Sequence, residues 1–180
     1  IGAAGASPAI PGIQFADMAG GGMNGAIGIL LALATLSVNL VGEDENLEKT
    51  ARRTHALMAL ATEEALLQGR DFGILFEQRG YQFLAFDYDR REWVAYAGDD
   101  MFRPRTLEEG QYFELDVEGQ AVLLDAEPPD PENWLVPQVP LLSSGDLVPF
   151  ELRIRREFDD TVFVVSGQAN GVLEVRDESE

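Results

Sequence analysis

The chain of 180 residues has no cysteine. Disulfides, thiolate zinc sites, iron–sulfur clusters and cysteine nucleophiles are excluded together. It has one histidine, His55, so neither a histidine-based metal cage nor a two-histidine mechanism can be built within one chain. Basic residues are scarce, 13 against 32 acidic ones, for a net charge of −19. Such a chain lacks the basic footprint that nucleic-acid phosphates demand, and it does not dock on anionic lipid through charge. Charge of either sign is nearly missing from residues 1–42, where Asp17 stands alone. Apolar material is not missing. A hydrophobic fraction of 46% with 10 Phe excludes disorder as a description of the whole chain.

Three segments follow from charge and periodicity. Residues 1–25 are Gly/Ala-rich, with Pro8, Pro11 and the run Gly20-Gly21-Gly22. Glycine loses the most backbone entropy on ordering, so poor order is expected there. Residues 26–69 read as one long helix with an apolar first part and an amphipathic second part. From Ala26 to Val41 there is no charge, although Thr35, Ser37 and Asn39 dilute the run. A membrane-spanning helix wants about 20 apolar residues, so this run is marginal alone. In the second part, Leu47, Ala51, Met58, Ala61 and Ala65 recur at helical spacing, and Leu57, Leu60 and Leu67 widen the stripe. Leu47, Ala51, Leu57, Leu60, Ala61, Ala65 and Leu67 are the face expected to pack on the rest of the protein. Gly69 is placed to end the helix in the left-handed conformation.

Residues 70–180 form the acidic head, with 25 acids and 10 bases. Here the apolar period drops from 3.6 to 2. Strands are expected at 72–78, 81–88, 91–96, 112–117, 120–124, 148–155, 161–166 and 171–175. Phe150, Leu152 and Ile154 alternate with Glu151, Arg153 and Arg155, the mark of a sheet with one buried face. Residues 125–140 carry five prolines and read as a loop. The expected class is α+β, a long N-terminal helix packed on an antiparallel, sandwich-like head.

Candidate chemistry is weak. His55 lacks a second histidine at i+4 and reads as a surface or interface residue. Ser143-Ser144-Gly145-Asp146 lacks the flanking glycines of a nucleophile elbow, and reads as a turn. Asp87, Asp89, Asp99 and Asp100 are carboxylates of the kind calcium takes, but without the glycine and distal glutamate of an EF-hand loop. No catalytic residue, metal ligand or cofactor site is expected. The strongest feature is architectural. An uncharged helix attached to an acidic head must bury itself in lipid or against other helices.

Particular residues carry a resemblance. They are Leu47-Glu48-Lys49, Ala51-Arg52-Arg53, Ala61-Thr62-Glu63-Glu64-Ala65-Leu66-Leu67-Gln68-Gly69-Arg70, Gly73, Phe76 and Gly80-Tyr81-Gln82-Phe83-Leu84. With Ser143, Ser144, Gly145, Asp146, Pro149 and Phe150 they resemble the GspH-type minor pseudopilins of the type II secretion system, over roughly residues 27–176. Minor pilins of type IV pili share part of the pattern. The family's Gly-Phe-Thr-Leu-Ile-Glu signature at the prepilin peptidase site is absent. Gln14 and Ala19 stand where its glycine and glutamate should fall.

The resemblance implies a non-enzymatic subunit of the pseudopilus tip that supports export across the outer membrane. It implies a single pass through the inner membrane, with the head in the periplasm. The implied partners are other minor pseudopilins and the major pseudopilin. Ile27, Ile29, Leu30, Leu33, Leu36 and Leu40 would be the helix face used in assembly. Two alternatives stay open: a membrane-tethered β-sandwich that binds a secreted substrate or ligand, and a minor pilin of a type IV pilus.

Overall fold

The computed structural model describes residues 21–127 and 134–179, with side chains described from residue 44 onward. Two compact units divide at residue 42, Ile1–Gly42 and Glu43–Glu180. Of the first, what is described is helical backbone beginning at Gly21, ahead of the expected start at 26. Glycine has low helix propensity, so the sequence carries no signal for that earlier start. Among the described residues no helix is long and apolar enough to cross a membrane.

Helix α1, Gly21–Gln68, ends in the second unit. The Arg70 N–H donates to the Ala65 carbonyl at 3.2 Å, and Gly69 has φ +58°. This Schellman-type ending lets the chain reverse without a Cβ penalty and enter the first strand.

Two antiparallel sheets follow. The first holds β1 (Phe72–Glu77), β2 (Gly80–Asp87), β3 (Glu92–Ala95), β4 (Arg105–Thr106) and β7 (Val139–Leu141). Its order is β3-β2-β1-β7, with β4 paired to β2. The second holds β5 (Gln111–Val117), β6 (Gln120–Val122), β8 (Phe150–Arg156), β9 (Val162–Gly167) and β10 (Leu173–Asp177). Its order is β10-β9-β8-β5-β6.

One buried cluster takes side chains from the helix and both sheets. Leu47, Met58 and Ala61 meet Phe72, Ile74 and Phe83 of the first sheet and Phe113, Leu152 and Ile154 of the second. Phe76 of β1 stands edge-on to Phe113 of β5, with centroids 5.5 Å apart. The Phe113 N–H also donates to the Gln78 carbonyl at 2.8 Å, tying the start of β5 to the β1–β2 turn.

Two strands lie outside the sequence-based expectation. The loop expected over residues 125–140, where prolines cannot donate to a sheet ladder, takes in the first two residues of β7. Pro140 nevertheless sits in β7, whose one partner among the named strands is β1, with a single bridge from Leu141 to Leu147 besides. On an edge strand a missing N–H can face away from the partner. Where β7 gives out, the Gln138 amide continues the pairing. Its Oε1 accepts from the Phe76 N–H at 2.8 Å, and its Nε2 donates to the Phe76 carbonyl at 3.1 Å. Strand β4, two residues long, is too short to show a period.

Candidate functional site

The second half of α1 presents a stripe at alternating spacings of four and three. Leu47, Ala51, Thr54, Met58, Ala61 and Ala65 are buried. Leu57 widens this stripe and is buried too. Leu60 is only partly buried, and Leu67, expected on the same face, is 82% exposed. The correction is geometric. Leu67 lies two residues past Ala65, about 200° round the helix at 100° per residue. Leu60 is displaced from Met58 by the same angle. Met58, read into the stripe from the sequence, is buried there, and the sequence-based reading missed only Thr54, which fills the position between Ala51 and Met58 that a stripe at 3.6 residues per turn requires.

The helix ending leads straight to the Ser143–Gly145 turn. Asp71, one residue before β1, accepts at Oδ1 from both the Ser143 N–H and the Ser143 hydroxyl, each at 2.8 Å. Its Oδ2 accepts from the Tyr88 hydroxyl at 3.0 Å. Burial works to raise the Asp71 pKa, but these donated hydrogen bonds outweigh it and hold the group below its ordinary value. A carboxylate thus ties the start of the first sheet to a turn 72 positions further on.

The turn closes through the Gly145 N–H, which donates to the Leu142 carbonyl at 2.9 Å, with Gly145 at φ +88°. A Cβ on Gly145 would lie 3.4 Å from Leu66 of the helix. Ser144 donates to Asp146 at 2.8 Å. Pro149 gives its carbonyl to the Glu118 N–H at 2.8 Å, which docks the β5–β6 hairpin. Phe150 is buried, and its ring fills the space above Gly167, opposite it on β9. A Cβ on Gly167 would come within 2.2 Å of that ring.

These contacts account for Ser143, Ser144, Gly145, Pro149 and Phe150 as structural parts. The Ser143 hydroxyl is committed to Asp71. His55 is committed elsewhere, with Nε2 3.2 Å from the Leu173 carbonyl on β10. Asp87 accepts from the Asp89 and Arg90 N–H groups, both at 3.0 Å, and Asp99 accepts from the Met101 N–H at 2.8 Å. They hold local backbone turns. Among the described residues no three His, Asp or Glu side chains form a metal-sized group. Asp71, Tyr88 and Gln138 were not legible in the sequence. No local pattern points to a partner 17 positions away, as for Tyr88 and Asp71, or 62 positions away, as for Gln138 and Phe76.

The outward face of the second sheet carries crossed ion pairs. Arg153 bonds Asp116 and Glu151, and Arg176 bonds Glu151 and Glu178. Between the β1–β2 turn and the β5–β6 hairpin lies an open groove of about 700 Å³, flanked by Leu123 and Phe158, both almost fully exposed. The expected assembly residues Ile27, Ile29, Leu30, Leu33, Leu36 and Leu40 lie outside the described side chains.

No family model matches the chain. It is 34% identical over 131 residues to the type II secretion system protein H of Pseudomonas aeruginosa, covering 71% of this chain and 74% of that protein. The protein of the same name from Aeromonas hydrophila is 27% identical over 148 residues, covering 80% and 81%. Among solved structures, the minor pseudopilin EpsH from the type 2 secretion system of Vibrio cholerae superposes with a TM-score of 0.61 at 27% identity. It covers 75% of this chain and 99% of that one. The solution structure of Escherichia coli GspH, at 20% identity and a TM-score of 0.55, shares the fold.

Proposed function

Because the chain belongs to the type II secretion system protein H family, the GspH minor pseudopilins, we propose that it is a structural subunit of the pseudopilus tip that supports export across the outer membrane. The observation that carries this reading is the extent of the likeness. It spans 71% of this chain against the Pseudomonas aeruginosa protein and 75% against the EpsH structure, of which it covers 99%. A non-catalytic role fits the site chemistry. Ser143, Ser144, His55, Asp87 and Asp99, all singled out in the sequence, make contacts that serve the fold.

In this reading the uncharged helix segment anchors the protein in the inner membrane, and the head stands in the periplasm. Ile27, Ile29, Leu30, Leu33, Leu36 and Leu40 pack against the helices of other minor pseudopilins and of the major pseudopilin. Small residues Gly28, Ala32 and Ala34 permit close approach. The net −15 of residues 70–180 opposes self-association through the heads.

The test is expression of the chain in a secretion-competent host that lacks its own protein H. Cysteines introduced at Leu33 or Leu36 provide the crosslinking sites. Restored export together with crosslinks to other pseudopilins is the expected result. Unrestored export with chains that crosslink only to themselves would overturn the reading.

A further inference from the structure

The described residues include thirteen cations from Lys49 to Arg176, and seven of the arginines hold an acidic partner in an ion pair. Of the cations that hold none, three meet at one place. Arg53 on α1 and Arg103 and Arg105 around β4 line a cleft of about 250 Å³ between the helix and the edge of the first sheet. Thr54 and Tyr81 complete its floor. In a chain with 32 acidic side chains, three guanidiniums gathered at one cleft with none in an ion pair, although Glu108 also lines it, are an anomaly that calls for a cause.

The guanidiniums are held, but not neutralised. Arg103 donates from Nη1 to the Asp100 carbonyl at 3.3 Å, and Arg105 donates from Nη2 to the Met101 carbonyl at 2.9 Å. Both acceptors are uncharged backbone oxygens, so the positive charge stays available. The Arg105 Nε–H is buried and has no hydrogen-bond partner. A buried donor on a charged group without an acceptor is costly, and an incoming oxyanion is the natural remedy. Arginine presents its donors as a planar fork that fits two oxygens of a carboxylate or phosphate.

We propose that this cleft is an oxyanion site that receives a carboxylate side chain from a neighbouring pseudopilin. This rests on the assembly reading above. The choice of carboxylate over phosphate follows from charge. Glu108 lines the same cleft, and the whole chain is strongly negative. A phosphate with a charge of about −1.5 to −2 at neutral pH suffers that field more than a monoanion does. The choice of a protein source follows from place. Arg53 and Thr54 belong to α1, the element through which the subunits associate. An acidic neighbour is repelled by the acidic surface of the head, so a cleft holding three arginines outside any ion pair fixes where it docks, as charge patterns fix register in other interfaces.

The test uses the full chain. Arginine Nε–H resonances are followed while acetate, inorganic phosphate or chloride is added at constant ionic strength. Acetate should shift the Arg105 signal saturably, chloride should not, and phosphate should bind more weakly than acetate. The double variant Arg53→Gln/Arg103→Gln changes two exposed residues. It should keep the melting temperature of the parent and weaken acetate binding about tenfold or more. The absence of a saturable shift would overturn the site, and phosphate binding as tightly as acetate would overturn its assignment to a carboxylate.

A second arm places the same double substitution in a chain crosslinked through Leu33→Cys. Heterotypic crosslinks should fall several-fold, and unchanged crosslinking would overturn the role of the cleft in docking. Failure of the assembly reading itself is distinguishable. The parent chain would then capture no other pseudopilin, whatever acetate does at Arg105.

Discussion

Met58 and Leu67 are both long apolar residues on α1, nine positions apart, and they test the packing of the helix against each other. Met58 is fully buried, in one cluster with side chains of both sheets. Met58→Ala removes three heavy atoms and leaves a cavity that backbones on three sides restrain from closing. The expected cost is about 2–5 kcal/mol. Leu67→Ala removes a side chain that is 82% exposed, and its cost should stay within about 0.5 kcal/mol.

For a folded unit of this size, 1 kcal/mol moves the melting temperature by roughly 3–5 °C. Met58→Ala should therefore melt about 6–25 °C below the parent, and Leu67→Ala within about 2–3 °C of it. Urea unfolding on the same three proteins checks the comparison, because the midpoint should move while the slope stays constant. Equal losses at the two positions would refute the angular argument, which puts Leu67 on the far side of the helix from the core. A loss below about 1 kcal/mol at Met58 would refute the claim that the helix and both sheets share one core.

Two more outcomes follow from contacts away from the helix stripe. Gly167→Ala places a methyl within 2.2 Å of the Phe150 ring in a buried setting, and should cost about 1–3 kcal/mol by chemical denaturation. The paired variant Gly167→Ala/Phe150→Leu should recover part of that loss. Asp71 has its pKa depressed by the Ser143 and Tyr88 donors, against the opposing effect of burial. A folded pKa below the unfolded one contributes stability above the unfolded value and loses it as pH falls through the folded one. The stability gap between the parent and Asp71→Asn should be constant near neutral pH and shrink below the ordinary 3.8. A gap that grows on acidification would contradict the geometry at Ser143.

Much of this protein is decided by local pattern. The order of helix then strands comes from a change of period at Gly69, because each backbone geometry brings side chains to one face at its own interval. The alternation of Phe150, Leu152 and Ile154 with charged neighbours set which face of β8 is buried, for the same reason. The charge ledger excluded nucleic acid as a partner, and the missing cysteine excluded several chemistries, since composition does not depend on the fold.

Tertiary structure decided what depends on long-range closure. Whether a helix position is covered depends on where the sheets stop, so Leu67 was lost from the stripe and Thr54 gained. A proline run was read as loop because only the assembled sheet shows that β7 is an edge strand. Asp71 finds Ser143, Gln138 finds Phe76, and Arg53 finds Arg105, across separations that no local spacing encodes. A hydrogen bond or a charge cluster is a property of positions in space. The chain states only the residues that supply it, and folding the helix onto two sheets brings them together.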